Sequence, residues 1–220
     1  MQAYKYIRSS ARQGHECALQ ALATDPSSSS ASQSNQASDA FKLLLSISQH
    51  DAMDAASLYH LSLCFICGLG VEKDEAEAVR YCRLAADQDH PAAQYQMGVY
   101  CEEGRYVSKS EAHAVRYYQL SADQGYAQAQ NGLAHCYQLG IGVVRNAEEA
   151  VRYYRLAAAQ ALPLAMHNVG MCYESGLGVE ESLSIALNYY QLASDGGHTP
   201  AGDRLEALKN LIGNMKVIHR

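Results

Sequence analysis

Apolar residues recur along this chain at i, i+3, i+4 and i+7, the spacing that turns one face of an α-helix toward a core. Ala114, Tyr117, Tyr118 and Ser121 show it, as do Ala150, Tyr153, Tyr154 and Ala157. A segment ahead of each of these, such as Ala93, Met97, Gly98 and Cys101 or Ala165, Val169, Gly170 and Tyr173, carries the same periodicity and predicts the first helix of a pair. Small residues at Gly98, Ala134 and Gly170 let the partner helix approach closely.

The pairs repeat. Gly68, Gly104, Gly140 and Gly176 stand 36 residues apart, and so do Ala78, Ala114, Ala150 and Ala186, Tyr81, Tyr117, Tyr153 and Tyr189, and Leu84, Leu120, Leu156 and Leu192. A period of that length marks stacked supersecondary units. Between the two helices lies Gly-x-Gly-Val, at Gly68 to Val71, Gly140 to Val143 and Gly176 to Val179, where glycine supplies the positive φ that ends a helix. The next column, Asp74, Ser110, Asn146 and Ser182, holds only good N-cap residues, and Glu77 and Glu149 occupy the third position of a capping box.

These columns predict an all-α chain in which residues 54–198 form four regular repeats. Residues 1–53 read as degenerate N-terminal repeats, because Tyr6, Ala11, Gln13, Gly14, His15 and Ala18 match Tyr117 to Ala129 at a constant offset. Within them, residues 26–38 are a serine-rich polar stretch standing where a Gly-x-Gly turn belongs, and read as a flexible loop before helix resumes through Phe41, Leu44, Leu45 and Ile47. Residues 199–220 keep a helical stripe at Ala201, Leu205, Leu208, Ile212 and Met215 and read as a capping helix.

The motifs Val169-Gly170-x-x-Tyr173, Gly176-x-Gly178-Val179 and Ala186-x-x-Tyr189-Tyr190-x-x-Ala193 resemble those of the Sel-one-like repeat family, relatives of the tetratricopeptide repeats. The resemblance covers most of the chain. It implies a right-handed α-α superhelix, or solenoid, whose first helices line a concave face, and it implies adaptor work in place of catalysis. The sequence departs from the family pattern at Tyr106, which replaces a turn glycine, and at Cys82 and Cys101, which replace aromatics, so this repeat is expected to be distorted or soft. Cysteine-rich members staple their helices through slots held here by alanines such as Ala86 and Ala93, so that disulfide framework is absent.

Charge and composition narrow the function. With 220 residues and 48% hydrophobic content the chain can bury a core, while a net charge of −6 supplies no basic field for nucleic acid. Seven cysteines, an odd number spread over several helices, fit a reducing compartment. No signal peptide or membrane-spanning run is legible, which gives a cytoplasmic expectation with no membrane insertion.

No nucleophile-elbow, phosphate-loop or zinc-hydrolase signature occurs, so neither catalytic nor cofactor-binding residues are assigned. Cys64-x-x-Cys67 has redox or half-zinc spacing but sits at i, i+3 of a helix without a second pair. His135, Cys136, His167 and Cys172 could gather around a soft metal, yet Cys64, Cys136 and Cys172 share one core slot, and the metal assignment is none. Arg80, Arg116 and Arg152 recur at the repeat spacing as a solvated stripe facing nearby carboxylates.

If the family geometry holds, the groove is lined by columns of the first helices. They run Ala56, Ala92, Gln128, Leu164; Tyr59, Tyr95, Asn131, His167; Leu63, Val99, His135, Met171; and Ile66, Glu102, Gln138, Glu174. These vary where core columns do not, as expected of a surface fitted to a partner. The partner-binding set is therefore Tyr59, Leu63, Ile66, Tyr95, Val99, Glu102, Asn131, His135, His167 and Met171, receiving a peptide or amphipathic helix of a partner protein. The columns contain no lysine or arginine, so no carboxylate clamp is expected. Each residue has an alternative role in packing against the following repeat or the serine-rich loop. Self-assembly through an uncovered solenoid end, which also fits a missing upstream segment, is the competing function, with an unfamiliar enzyme behind it.

Overall fold

The computed structural model describes residues 41–42 and 54–218, the last seven of these by backbone alone. The degenerate repeats, the serine-rich stretch 26–38, the helix through Leu44 and Ile47, and the side chains of Ile212 and Met215 lie outside the described residues. Among the described residues the elements are helices without strands: α1 Ala55–Cys67, α2 Glu75–Asp87, α3 Pro91–Glu103, α4 Glu111–Asp123, α5 Ala127–Leu139, α6 Ala147–Ala159, α7 Pro163–Ser175, α8 Leu183–Asp195 and α9 Thr199–Ile218. They fall into two compact units divided between Lys109 and Ser110.

Every helix from α1 to α8 has 13 residues, because the same stop and start signals recur. Gly140 closes α5 at φ 76°, its N–H returning to the Cys136 carbonyl, and Gly68, Gly104 and Gly176 do the same for α1, α3 and α7. The second turn glycine is required for a different reason. A Cβ on Gly142 would lie 2.4 Å from the Glu111 carbonyl oxygen, and one on Gly178 2.3 Å from that of Ala147. Tyr106 holds the same left-handed turn at φ 55°, so the expected distortion of this repeat is not seen in its turn or in the lengths of α3 and α4.

The caps are used in a way that sequence spacing did not anticipate. Asp74 Oδ1 accepts from the N–H groups of Ala76 and Glu77, and Asn146 Oδ1 from Glu149, but Ser182 makes no side-chain cap. The reciprocal half of the capping box is missing, because the backbone N–H of Asp74 already donates to the Phe65 carbonyl and that of Asn146 to Tyr137. Glu77 and Glu149 are thereby released to hold Arg80 and Arg152 through paired hydrogen bonds as short as 2.7 Å. Each arginine also lies over the next tyrosine ring, 4.1 Å from Tyr81 and 4.0 Å from Tyr153.

The core of the first unit is built on Leu61, Cys82 and Met97, with Phe65 stacked on Tyr81 at 5.5 Å. In the second unit Leu133, Val151, Tyr154, Val169 and Tyr190 are fully buried, with Tyr137 on Tyr153 and Tyr173 on Tyr189 repeating the ring pair. Gly170 packs so closely on Tyr190 that an added Cβ would meet the ring at 2.7 Å. The last helix, α9, seals this unit by placing Ala201, Leu205 and Leu208 against Ala186, Tyr190 and Ala193.

Candidate protein-binding face

In the first unit the predicted groove residues are mostly half-buried. Tyr59 stacks on the His90 imidazole, ring centroids 4.7 Å apart, and Ile66, Tyr95, Val99 and Glu102 keep partial exposure on α1 and α3. Leu63 differs. It is 8% exposed and joins the core, because its position on α1 turns it toward the packed interior and leaves little surface for a partner. His90 Nδ1 caps α3 by accepting the Ala93 N–H at 3.3 Å, and burial first, then His60, pushes its pKa down to about 4.

The second unit presents more open surface. Leu164, His135 and Met171 are exposed, Met171 by 43%, whereas Asn131 and His167 are half-buried. Asn131 is tied to α7 by a 2.9 Å bond from the Asn168 amide. The fourth column has a structural task as well, since Gln138 Oε1 accepts the Tyr154 hydroxyl at 2.7 Å and Glu174 Oε2 the Tyr190 hydroxyl at 2.6 Å.

Helix α9 adds residues that the columns omitted. A cleft of about 620 Å³ lies between α7 and α9, lined by His167, Met171, Glu174, Ser175, Pro200, Asp203, Arg204 and Ala207. Pro200, Asp203 and Ala207 stand 36 residues after Leu164, His167 and Met171, so the groove columns continue into α9 in register. That register was the available signal; it was missed because α9 lacks the Gly-x-Gly turn and tyrosine pair that marked the other repeats. Arg204, which lies outside the four columns, places a cation beside this cleft, but both oxygens of Glu174 hold it. Arg204 and Tyr190 together keep the Glu174 carboxyl below its usual range against the opposing effect of burial.

His167 lies 4.9 Å from the His198 ring and 5.4 Å from Tyr190, and its Nδ1 is buried without a hydrogen-bond partner among the described residues. Desolvation, and then His198, lower its pKa, so the ring is neutral near pH 7. Cys64, Cys82, Cys101, Cys136 and Cys172 are buried, whereas Cys67 is exposed. Burial pushes Cys64 and Cys82 up to about 12 and Cys172 to about 11, which holds them as thiols. Among the described residues no three His, Cys, Asp or Glu side chains are grouped to hold a metal ion, and no helix is long and apolar enough to cross a membrane.

The Sel1 repeat pattern matches residues 1–15, 55–90, 91–126, 127–162 and 163–198, whose limits from residue 55 onward enclose the observed helix pairs. The chain belongs to the Sel1 repeat family. This Sel1 repeat chain is similar to a Sel1 repeat protein of Oxalobacter formigenes, with TM-score 0.71, 29% identity, and coverage of 78% of this chain and 69% of that one. It shares the fold of c5321, a protective antigen of uropathogenic Escherichia coli displaying an SLR fold, at TM-score 0.63 and 22% identity, over 91% of this chain and 50% of that one. Among curated proteins of Saccharomyces cerevisiae it is 32% identical to the chitin synthase regulator SKT5 over 104 residues, 47% of this chain and 14% of that protein. It is 42% identical to Protein SHC1 over 52 residues, 24% of this chain and 10% of SHC1. It therefore spans only a small part of these yeast relatives' own length. An all-α repeat fold of this family points to a protein-interaction scaffold.

Proposed function

We propose that this Sel1 repeat chain is a non-catalytic adaptor that binds a peptide or helix of a partner protein on the exposed side chains of its first helices. The observation that carries the reading is the cleft between α7 and α9, where the exposed Met171 stands beside Pro200 and Ala207 in a concave site. An exposed apolar floor within a polar rim is the usual form of a peptide anchor site. The name of the yeast relative SKT5, a regulator of chitin synthase, describes action on another protein and supports the same class of role.

The test is selection of displayed peptides on the purified chain, repeated on Met171→Glu. Peptides recovered by the native protein and lost by the variant, with unchanged helicity, support the reading. Peptides bound equally by both would place recognition elsewhere and overturn it.

A further inference from the structure

The same cleft carries a charge pattern that selects among peptides, a selectivity that rests on the adaptor role proposed for this face. Its floor is apolar, formed by Met171, Pro200 and Ala207. Alanine at 207 stands where the preceding repeat has Met171, and the missing side-chain volume leaves the space that an incoming aliphatic or aromatic group can fill. The rim holds Glu174, Asp203 and Arg204.

Those three charges are not equivalent. Arg204 is taken up by Glu174, which uses both carboxylate oxygens on it and accepts the Tyr190 hydroxyl besides. Asp203 is exposed and has no ion-pair partner among the described residues. His167 brings no positive charge, because burial beside His198 favours the neutral ring, while its Nδ1 stands desolvated with no donor or acceptor satisfying it. The rim is thus negative by about one charge, carried on the one rim carboxylate free to engage a ligand.

We propose that the α7–α9 cleft recognises a partner segment carrying one aliphatic or aromatic anchor beside a lysine or arginine, the anchor entering between Met171 and Ala207 and the cation meeting Asp203. An acidic segment is disfavoured, because Arg204 can receive a carboxylate only by giving up Glu174, which would leave a carboxylate of 16% side-chain exposure without its counter-ion.

The experiment is a phage-displayed dodecapeptide selection on the native chain, followed by fluorescence anisotropy with the recovered peptides on Asp203→Lys, Asp203→Asn and Met171→Glu. Enrichment of lysine or arginine next to a large apolar residue is expected. Affinity should fall at least tenfold for Asp203→Lys, less for Asp203→Asn, and more steeply with salt for the native chain than for Asp203→Asn. Peptides that are lost with Met171→Glu but are acidic or without charge bias would overturn the charge assignment and leave the adaptor reading standing. Peptides indifferent to Met171→Glu, or no enrichment at all, would overturn both.

Discussion

The Tyr190 hydroxyl donates to Glu174 Oε2 at 2.6 Å, and 36 residues earlier Tyr154 donates to Gln138 Oε1 at 2.7 Å. In these two repeats the buried inner tyrosine of the second helix is thus satisfied by the last column of its first helix. Where Cys82 takes the place of that tyrosine, the acceptor position holds Ile66, and the thiol donates to the Ala93 carbonyl. Donor and acceptor are kept or lost together, as the cost of an unpaired buried polar group requires.

Removing the hydroxyl alone leaves its acceptor short of a partner. Tyr190→Phe is expected to cost about 2 kcal/mol, because its acceptor is charged, and Tyr154→Phe about 1 kcal/mol, because its acceptor is neutral. Urea melts of the two variants measure both, and equal losses would show that the Glu174 charge is immaterial.

The turn glycines separate in the same kind of assay. Gly142→Ala forces a Cβ to 2.4 Å from a backbone oxygen at positive φ and should cost more than about 3 kcal/mol. Gly125→Ala, at φ 84° with nothing within 4 Å of the added carbon, should cost only about 1 kcal/mol.

Acid should weaken the first unit through His90. Its folded pKa near 4 lies below the ordinary value near 6.5, so between those limits the unfolded chain binds a proton that the folded chain refuses. Stability is therefore flat above about pH 6.5 and falls as the pH drops toward 4, by about 2 kcal/mol once the partial exposure of the ring is allowed for. A protonated Nδ1 also cannot accept the Ala93 N–H. His90→Asn keeps a capping side chain without the titration, and melts at pH 7 and 4.5 should differ less for this variant than for the native chain.

Tyr153→Ala should lose about 3–5 kcal/mol, since Tyr153 is buried, stacked on Tyr137 at 5.9 Å and covered by Arg152. A loss below about 1 kcal/mol in denaturant melts would contradict its place in the core.

The residues by themselves determined the helix pairs, their 36-residue period, the left-handed glycine turns and the alanine and tyrosine columns of the core. Those features are local or repeated, so each copy of the signal reinforces the others. Tertiary structure alone decided which face a column serves. Leu63 and Met171 share a column, yet one is buried and the other exposed, because exposure depends on the neighbouring helix. Glu77 and Glu149 were drawn from an expected capping box to arginines once the first helix supplied a carbonyl to the cap N–H. Arg204 reaches Glu174 across 30 residues of chain, a contact that the helical periodicity around either residue does not encode. The cleft exists for the same reason, since it is bounded by two helices that meet only after α8 has packed between them in sequence and returned the chain to α7.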